Sequence, residues 1–309
     1  MACITRIAGL AMPARVHYHA RHQCMRARSR LVQPAENEDA FAVVHWILYG
    51  YSGAWSMPAS MTEAATVGAP VPDTILEQLR EVSTATATAI LNRLGLRRPA
   101  TNVLQPLSPG LKLVGRARTL KYLPLREDLL PALRALGEQN PQRVAIESIG
   151  PGDVLVIDAM GQTESGSLGD ILTARVRRRG AAGIVVDGTV RDAPVIATMR
   201  YPVFVRDGRG HPGANTTRML PWEVDVPVQL AGLLVAPGDV ILADDEAVVC
   251  IPRALAAQVA EEGIETERRE VFLRMKIEEG LPISLVYPPK PEILREYEEW
   301  RVRQQSGMR

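Results

Sequence analysis

Gly169-Asp170 and Arg191-Asp192, separated by the twenty residues 171–190, place two carboxylates and one guanidinium at the ends of one short segment. Those groups suit the joint binding of a small anion and a hard divalent cation. A carboxylate is an oxygen ligand of the kind magnesium or manganese takes. A guanidinium offers a planar fork of donors to a carboxylate and stays charged at any relevant pH.

For this chemistry the two ends must meet, and the intervening residues provide for it. Ile171, Leu172, Ala174 and Val176 alternate with Thr173 and with Arg175, Arg177, Arg178 and Arg179, which predicts a helix with a cationic last turn, stopped at Gly180. Ile184-Val185-Val186 then reads as a strand buried on both faces, and Asp187-Gly188 as the turn that ends it. A helix N-terminus and the carboxyl end of the following strand lie on the same edge of a βαβ unit, the edge at which open α/β sheets bind ligands. The amides of Asp170, Ile171 and Leu172 lack helical partners there and can hold an anion. Asp192-Ala193-Pro194 also reads as a helix cap followed by proline near the first helical position, a role that needs no ligand. The matching Gly-Asp at the other helix start weighs toward a site.

The paired motif, with PGDVLVIDAMG (Pro151 to Gly161) and PGDVILADDEAVVCIP (Pro237 to Pro252), resembles the class II 4-hydroxy-4-methyl-2-oxoglutarate aldolases, which share their fold with the RraA-type regulators of ribonuclease E. The resemblance covers about residues 75 to 260. It implies an α/β fold, an RraA-like swivelling β/β/α domain with flanking N- and C-terminal helices. Carried over by position, it implies that Gly169, Asp170, Ile171 and Leu172 form the substrate-binding turn, that Arg191 binds substrate and acts in catalysis with Asp170, and that Asp192 binds the metal. It further implies a homotrimer or homohexamer with the site between protomers. After Asp244-Asp245 the family usually continues with Gly, where this chain has Glu246-Ala247, so a role for that acidic loop across a subunit boundary carries over less securely.

The implied activity is retro-aldol cleavage of a 4-hydroxy-2-oxo acid to pyruvate, with oxaloacetate decarboxylation as a side activity. Both reactions pass through an enolate that needs an electrophile, either a lysine Schiff base or a divalent metal. The four lysines, Lys112, Lys121, Lys276 and Lys290, have no supporting motif, whereas Asp192 offers a metal ligand and Asp170 a carboxylate to hold a water on it. Magnesium is the expected ion, with manganese the alternative. Arg206, Arg209 and His211, in the loop DGRGHPGANTT, can face the variable end of a substrate; His211 can equally be a plain exposed loop residue. Asp158 and Glu164 are weaker candidates, and Asp153 and Asp239 follow Pro-Gly as turn residues. Two alternatives remain: an RraA-type protein regulator of ribonuclease E, which needs no metal carboxylate, and a sugar-acid lyase or hydratase sharing the enolate chemistry.

With 309 residues, 46% hydrophobic and 23% charged, the chain can bury a sizeable core. A net charge of +1 gives no electrostatic case for nucleic acid or an anionic membrane, and no apolar run approaches the roughly 20 residues needed to span a bilayer. Cys3, Cys24 and Cys250 have neither disulfide nor zinc spacing, so a reducing cytoplasm is the default location.

Residues 1–30 carry six arginines and no acid, and His17, His19, His22 and His45 crowd the same end. Residues 1–60 are therefore read as a disordered or non-native extension, residues 71–285 as the catalytic domain with its C-terminal helices, and residues 286–309 as a charged tail that includes a short helix at Tyr297 to Arg303. Helices are expected from Ile75 to Val82, on to Leu94, from Glu127 to Leu136 and within Arg253 to Gly280. Strands are expected at Leu113 to Tyr122, Val144 to Ile149, Val154 to Asp158, Val203 to Val205, Val228 to Leu230, Val240 to Leu242 and Ala247 to Ile251.

Overall fold

Four parallel strands joined by helical crossovers make the centre of a nine-stranded sheet. A computed structural model describes residues 69–306. Helices α1 (Asp73–Leu79) and α2 (Thr84–Arg93) lead to the short strands β1 (Ala100–Thr101) and β2 (Gln105–Pro106) and the long β3 (Leu113–Pro124). After α3 (Leu130–Ala135) and α4 (Pro141–Ser148) the chain alternates: β4 (Asp153–Gly166), α5 (Asp170–Arg178), β5 (Gly183–Thr189), α6 (Ala193–Thr198) and β6 (Val203–Val205). Then come β7 (Met219–Val224), the hairpin of β8 (Val228–Leu230) and β9 (Leu233–Val235), and β10 (Val240–Ala243) and β11 (Val248–Ile251). The last elements are α7 (Ala256–Glu278), α8 (Ile283–Val286) and α9 (Pro291–Ser306).

The sheet order is β1-β11-β10-β3-β4-β5-β6-β2, with β7 also paired to β3. Strands β3, β4, β5 and β6 are mutually parallel. All seven residues of β5 are buried, as its β-branched run predicts for a central parallel strand. Its side chains alternate between two cores. Ile184 and Val186 join Ile146, Val176 and Ile196 under α4, α5 and α6, while Val185 points to the opposite face with Phe204, Leu230 and Leu233 of β6 and the hairpin. A third cluster packs α1, α2 and α7 on β10 and β11. Among the described residues no helix is long and apolar enough to cross a membrane.

Thr84–Arg93 is helical, as its alanine content predicts, and Ser83 caps it by accepting the Thr86 N–H at 3.1 Å. Ser83→Ala is expected to cost about 1 kcal/mol. Calorimetry should show a melting midpoint lower by roughly 2–4 °C.

Two readings of the sequence give way to the structure. Val144 to Ile149 is not a strand: Asn140 accepts the Gln142 N–H at 2.9 Å and Pro141 opens the first turn, so cap chemistry overrides the β-branched side chains and α4 buries Ala145 and Ile146. The chain after residue 286 is not simply a charged tail. Helix α9 buries Ile293 and Tyr297 against Phe272, Leu273 and Val286, and the rings of Tyr297 and Trp300 lie 5.6 and 5.5 Å from that of Phe272. Apolar residues spaced three and four apart among many charges form this stripe. The readings of residues 1–60 and their histidines lie outside the described residues.

Candidate functional site

Asp187 and Gly188 do not end strand β5 as a turn: the strand continues through them to Thr189 and delivers Val190, Arg191 and Asp192 at its carboxyl end. Asp192 has φ 55° and ψ 31°, a left-handed conformation that Asp tolerates better than most residues. It occupies the cap position of α6, and its carbonyl accepts the Ile196 N–H at 3.0 Å. Its side chain makes no capping hydrogen bond. The backbone therefore performs the cap, and the exposed carboxylate remains available.

That carboxylate lies against the start of α5. A Cβ placed on Gly169 would sit 2.8 Å from Asp192 Oδ2 and 3.7 Å from Arg191 Cβ, so the two halves of the motif meet and glycine is what lets them. A Cβ on Gly166 would fall 2.5 Å from both the Arg191 nitrogen and its Cγ. The backbone holds this approach: the Arg191 N–H donates to the Leu168 carbonyl at 2.8 Å, and the N–H and hydroxyl of Ser167 both donate to the Thr189 carbonyl, at 2.9 and 3.0 Å.

Of the three amides expected to face a ligand, Ile171 gives its N–H to Asp170 Oδ1 at 2.8 Å, which leaves those of Asp170 and Leu172. The Ile171 side chain is 78% exposed, while Leu172 packs on the core beneath. Arg191 makes no ion pair among the described residues, and its buried Nε has no hydrogen-bond partner. An orphaned buried donor beside a free carboxylate fits a site built for an anion and a cation together.

No group of three or more His, Cys, Asp and Glu gathers among the described residues. A cation at Asp192 would therefore have few protein ligands here, a donor set that would suit an ion keeping most of its waters, as magnesium does, and not a closed zinc cage. Gly169→Ala tests the contact directly. At φ −116° the new Cβ brings no backbone strain but presses on Asp192, so stability should change by less than about 1 kcal/mol while Mn²⁺ affinity, read by titration, falls by about tenfold.

The other predicted groups are committed elsewhere. Arg206 donates Nε and a terminal nitrogen to Asp187 Oδ1, at 2.8 and 2.5 Å, and Asp187 also accepts the Ala231 N–H at 2.8 Å. Arg209 forks onto Asp207 and, with its own N–H, holds that carboxyl down to about pKa 2. Arg206 is thereby fixed on a buried carboxylate, whereas Arg209 holds an exposed surface pair. His211 is placed closer to the site: its N–H donates to the Val190 carbonyl at 2.9 Å, and Nδ1 accepts the Gly213 N–H at 3.0 Å, which leaves Nε2 to carry the proton of the neutral ring.

Asp158 accepts the N–H groups of Met160 and Gln229, and burial pushes its pKa up. Glu164 pairs with Arg218 at 3.2 Å. Asp153 and Asp239 close turns, as expected, by accepting the Gly150 and Ala236 amides. Asp244 accepts from Thr84, and Asp245 from the Gly110 amide. A cavity of about 470 Å³ opens beside that acidic turn, lined by Thr84, Thr88, Arg98, Asn102 and the turn's own Glu246 among others; Gly169 to Leu172, Arg191 and Asp192 do not line it. The pairing of buried Asp187 with partly exposed Arg206 escaped sequence reading, although an acid inside an otherwise apolar strand is a usable signal of a charged partner.

Comparison with known proteins agrees with this architecture. Residues 74–250, more than half of the chain, match the RraA-like family, Aldolase/RraA. The protein DlpA of Legionella pneumophila is 31% identical over 206 residues, 67% of this chain but only 32% of that protein, so this chain spans about a third of it. A provisionally named 4-hydroxy-4-methyl-2-oxoglutarate aldolase of Halalkalibacterium halodurans is 30% identical over 58% of this chain and 78% of its own length. The crystal structure of Streptomyces coelicolor RraAS2, described as an unusual member of the RNase ES inhibitor RraA protein family, superposes with a TM-score of 0.60 at 38% identity, covering 68% of this chain and all of that one. The order of strands, the paired motif and these matches lead to one statement: the chain belongs to the RraA-like family.

Proposed function

We propose that the protein is a divalent-metal-dependent lyase that cleaves a 4-hydroxy-2-oxo acid of the 4-hydroxy-4-methyl-2-oxoglutarate type to pyruvate, with oxaloacetate decarboxylation as a side activity. The observation that carries this reading is the free Asp192 carboxylate at the start of α5, beside an Arg191 guanidinium whose buried Nε has no partner. Asp192 would hold the cation, magnesium or manganese, with Asp170 next to it. That cation supplies the electrophile a developing enolate oxygen needs.

The chain's own residues do the rest. Arg191 binds the pyruvyl carboxylate or keto oxygen, and the Asp170 and Leu172 amides hold the other end of the same group. Asp170, with Oδ1 fixed on the Ile171 N–H, keeps Oδ2 for proton movement. Cleavage removes the proton of the 4-hydroxyl and breaks C3–C4, and the electron pair passes to C3 and the 2-oxo oxygen as an enolate. Protonation at C3 gives one pyruvate, and the old 4-hydroxyl carbon becomes the keto carbon of a second. The assembly belonging to this reading is a homotrimer or homohexamer.

The identity shared with RraAS2 favours one second reading, a protein regulator of ribonuclease E that works without the metal. One experiment separates the two: pyruvate release from 4-hydroxy-4-methyl-2-oxoglutarate and from oxaloacetate, with magnesium, with manganese and with chelator. Turnover that vanishes with chelator is expected. Absence of both turnover and metal uptake, together with metal-independent binding to ribonuclease E, would replace the lyase by the regulator.

A further inference from the structure

Beneath the site, polar side chains from three separate elements gather around one backbone carbonyl. Tyr122 of β3 donates its hydroxyl to the Ser167 carbonyl at 3.2 Å, and Gln142 of α4 donates Nε2 to the same oxygen at 2.6 Å. Asn215, in the loop before β7, ties the two together by donating Nδ2 to the Tyr122 hydroxyl at 3.1 Å, with Gln142 Oε1 3.4 Å away. Tyr122 is fully buried and belongs to the same apolar cluster as Leu155, Val186 and Ile196. Burial pushes its phenol pKa well up, so the hydroxyl stays a neutral donor.

A phenylalanine would pack there as well, and a buried polar network earns its place only if its geometry matters. Its position says what that geometry serves. The Ser167 carbonyl and the Leu168 N–H share one rigid peptide plane, so aiming that carbonyl orients Leu168. The Leu168 carbonyl accepts the Arg191 N–H, and the next residue, Gly169, is the one Asp192 lies against. The Ser167 hydroxyl adds a second tie to the same turn, donating to the Thr189 carbonyl at 3.0 Å.

We propose that Gln142, with Tyr122 and Asn215, is a positioning group for the site: by fixing the Ser167 carbonyl it sets the approach of the Leu168–Gly169 turn to Arg191 and Asp192, and thereby the affinity of the cation and anion held there. The part concerning the cation rests on the metal-dependent reading above. Gln142→Met and Tyr122→Phe keep bulk and remove the donors, and Ser83→Ala, in α2, is the control for a comparable loss of stability.

Two readouts decide it on the intact protein: amide exchange of Arg191, and Mn²⁺ titration followed by electron paramagnetic resonance. Both variants should exchange the Arg191 amide about tenfold faster and bind Mn²⁺ about tenfold more weakly, with Ser83→Ala changing neither. Exchange and affinity within about twofold of wild type in both variants would overturn the proposal, as would an equal loss in Ser83→Ala. If wild type takes up no Mn²⁺, the metal reading falls, and the Arg191 exchange rate alone still decides whether the network positions the turn.

Discussion

Asp192→Asn should lower metal-dependent pyruvate release by about 1,000-fold, on the order of 4 kcal/mol of barrier, while the protein stays folded. Asparagine keeps the side-chain shape and accepts the left-handed backbone at φ 55° as readily as aspartate does, so the substitution removes charge and little else. No capping hydrogen bond is lost, because the cap is made by the Asp192 carbonyl and not by the carboxylate. The melting midpoint should therefore move by less than about 2 °C. Asp192→Ala should lose the same activity and about 1 kcal/mol of stability besides, the cost of a left-handed Ala. Steady-state assays at saturating Mg²⁺ check this. Activity within tenfold of wild type in Asp192→Asn would show that the carboxylate is not the metal ligand.

A different kind of loss is expected from Arg206→Ala. Asp187 is completely buried in an inner strand of the parallel sheet, and Arg206 supplies its only countercharge within salt-bridge distance among the described residues. Removing the guanidinium leaves a buried carboxylate with the single Ala231 amide, a change that typically costs about 3–5 kcal/mol. The double variant Asp187→Leu with Arg206→Met removes both charges and should recover most of that loss, since no buried carboxylate is then left without its countercharge. Urea denaturation of the three proteins measures the coupling. A single-variant cost below about 1 kcal/mol would mean that water reaches Asp187 after all.

How far the sequence spoke for the structure differs from element to element. The helix from Asp170 to Arg178 and the strand after it were readable because their signals are local: a cationic last turn, a Gly stop, a β-branched run. Their spacing was enough to predict that Gly169 and Asp192 share an edge, and they do. What was not readable depends on register between distant strands. Asp187 and Arg206 are nineteen positions apart, and only the parallel pairing of Val186 with Val205 brings them together. The same holds for Tyr122, Gln142 and Asn215, whose meeting point exists only once β3, α4 and the loop before β7 are packed. Helix α4 was misread for another reason: three β-branched residues in six outweighed a cap and a proline whose weight shows only when the helix has a core to lie on.

Helix α7 has 23 residues, about 35 Å at 1.5 Å per residue, and it serves two cores that share no residue. Its first half, through Val259 and Ala260, is bound into the sheet with α1 and α2; its second half, through Phe272 and Leu273, carries the small aromatic cluster closed by α9. Five buried side chains cannot match the cooperativity of the sheet, so the C-terminal unit should melt first, as a separate event. A single unfolding free energy then has no meaning for the whole chain, and the cost of breaking the Asp187–Arg206 pair belongs to the later of two transitions.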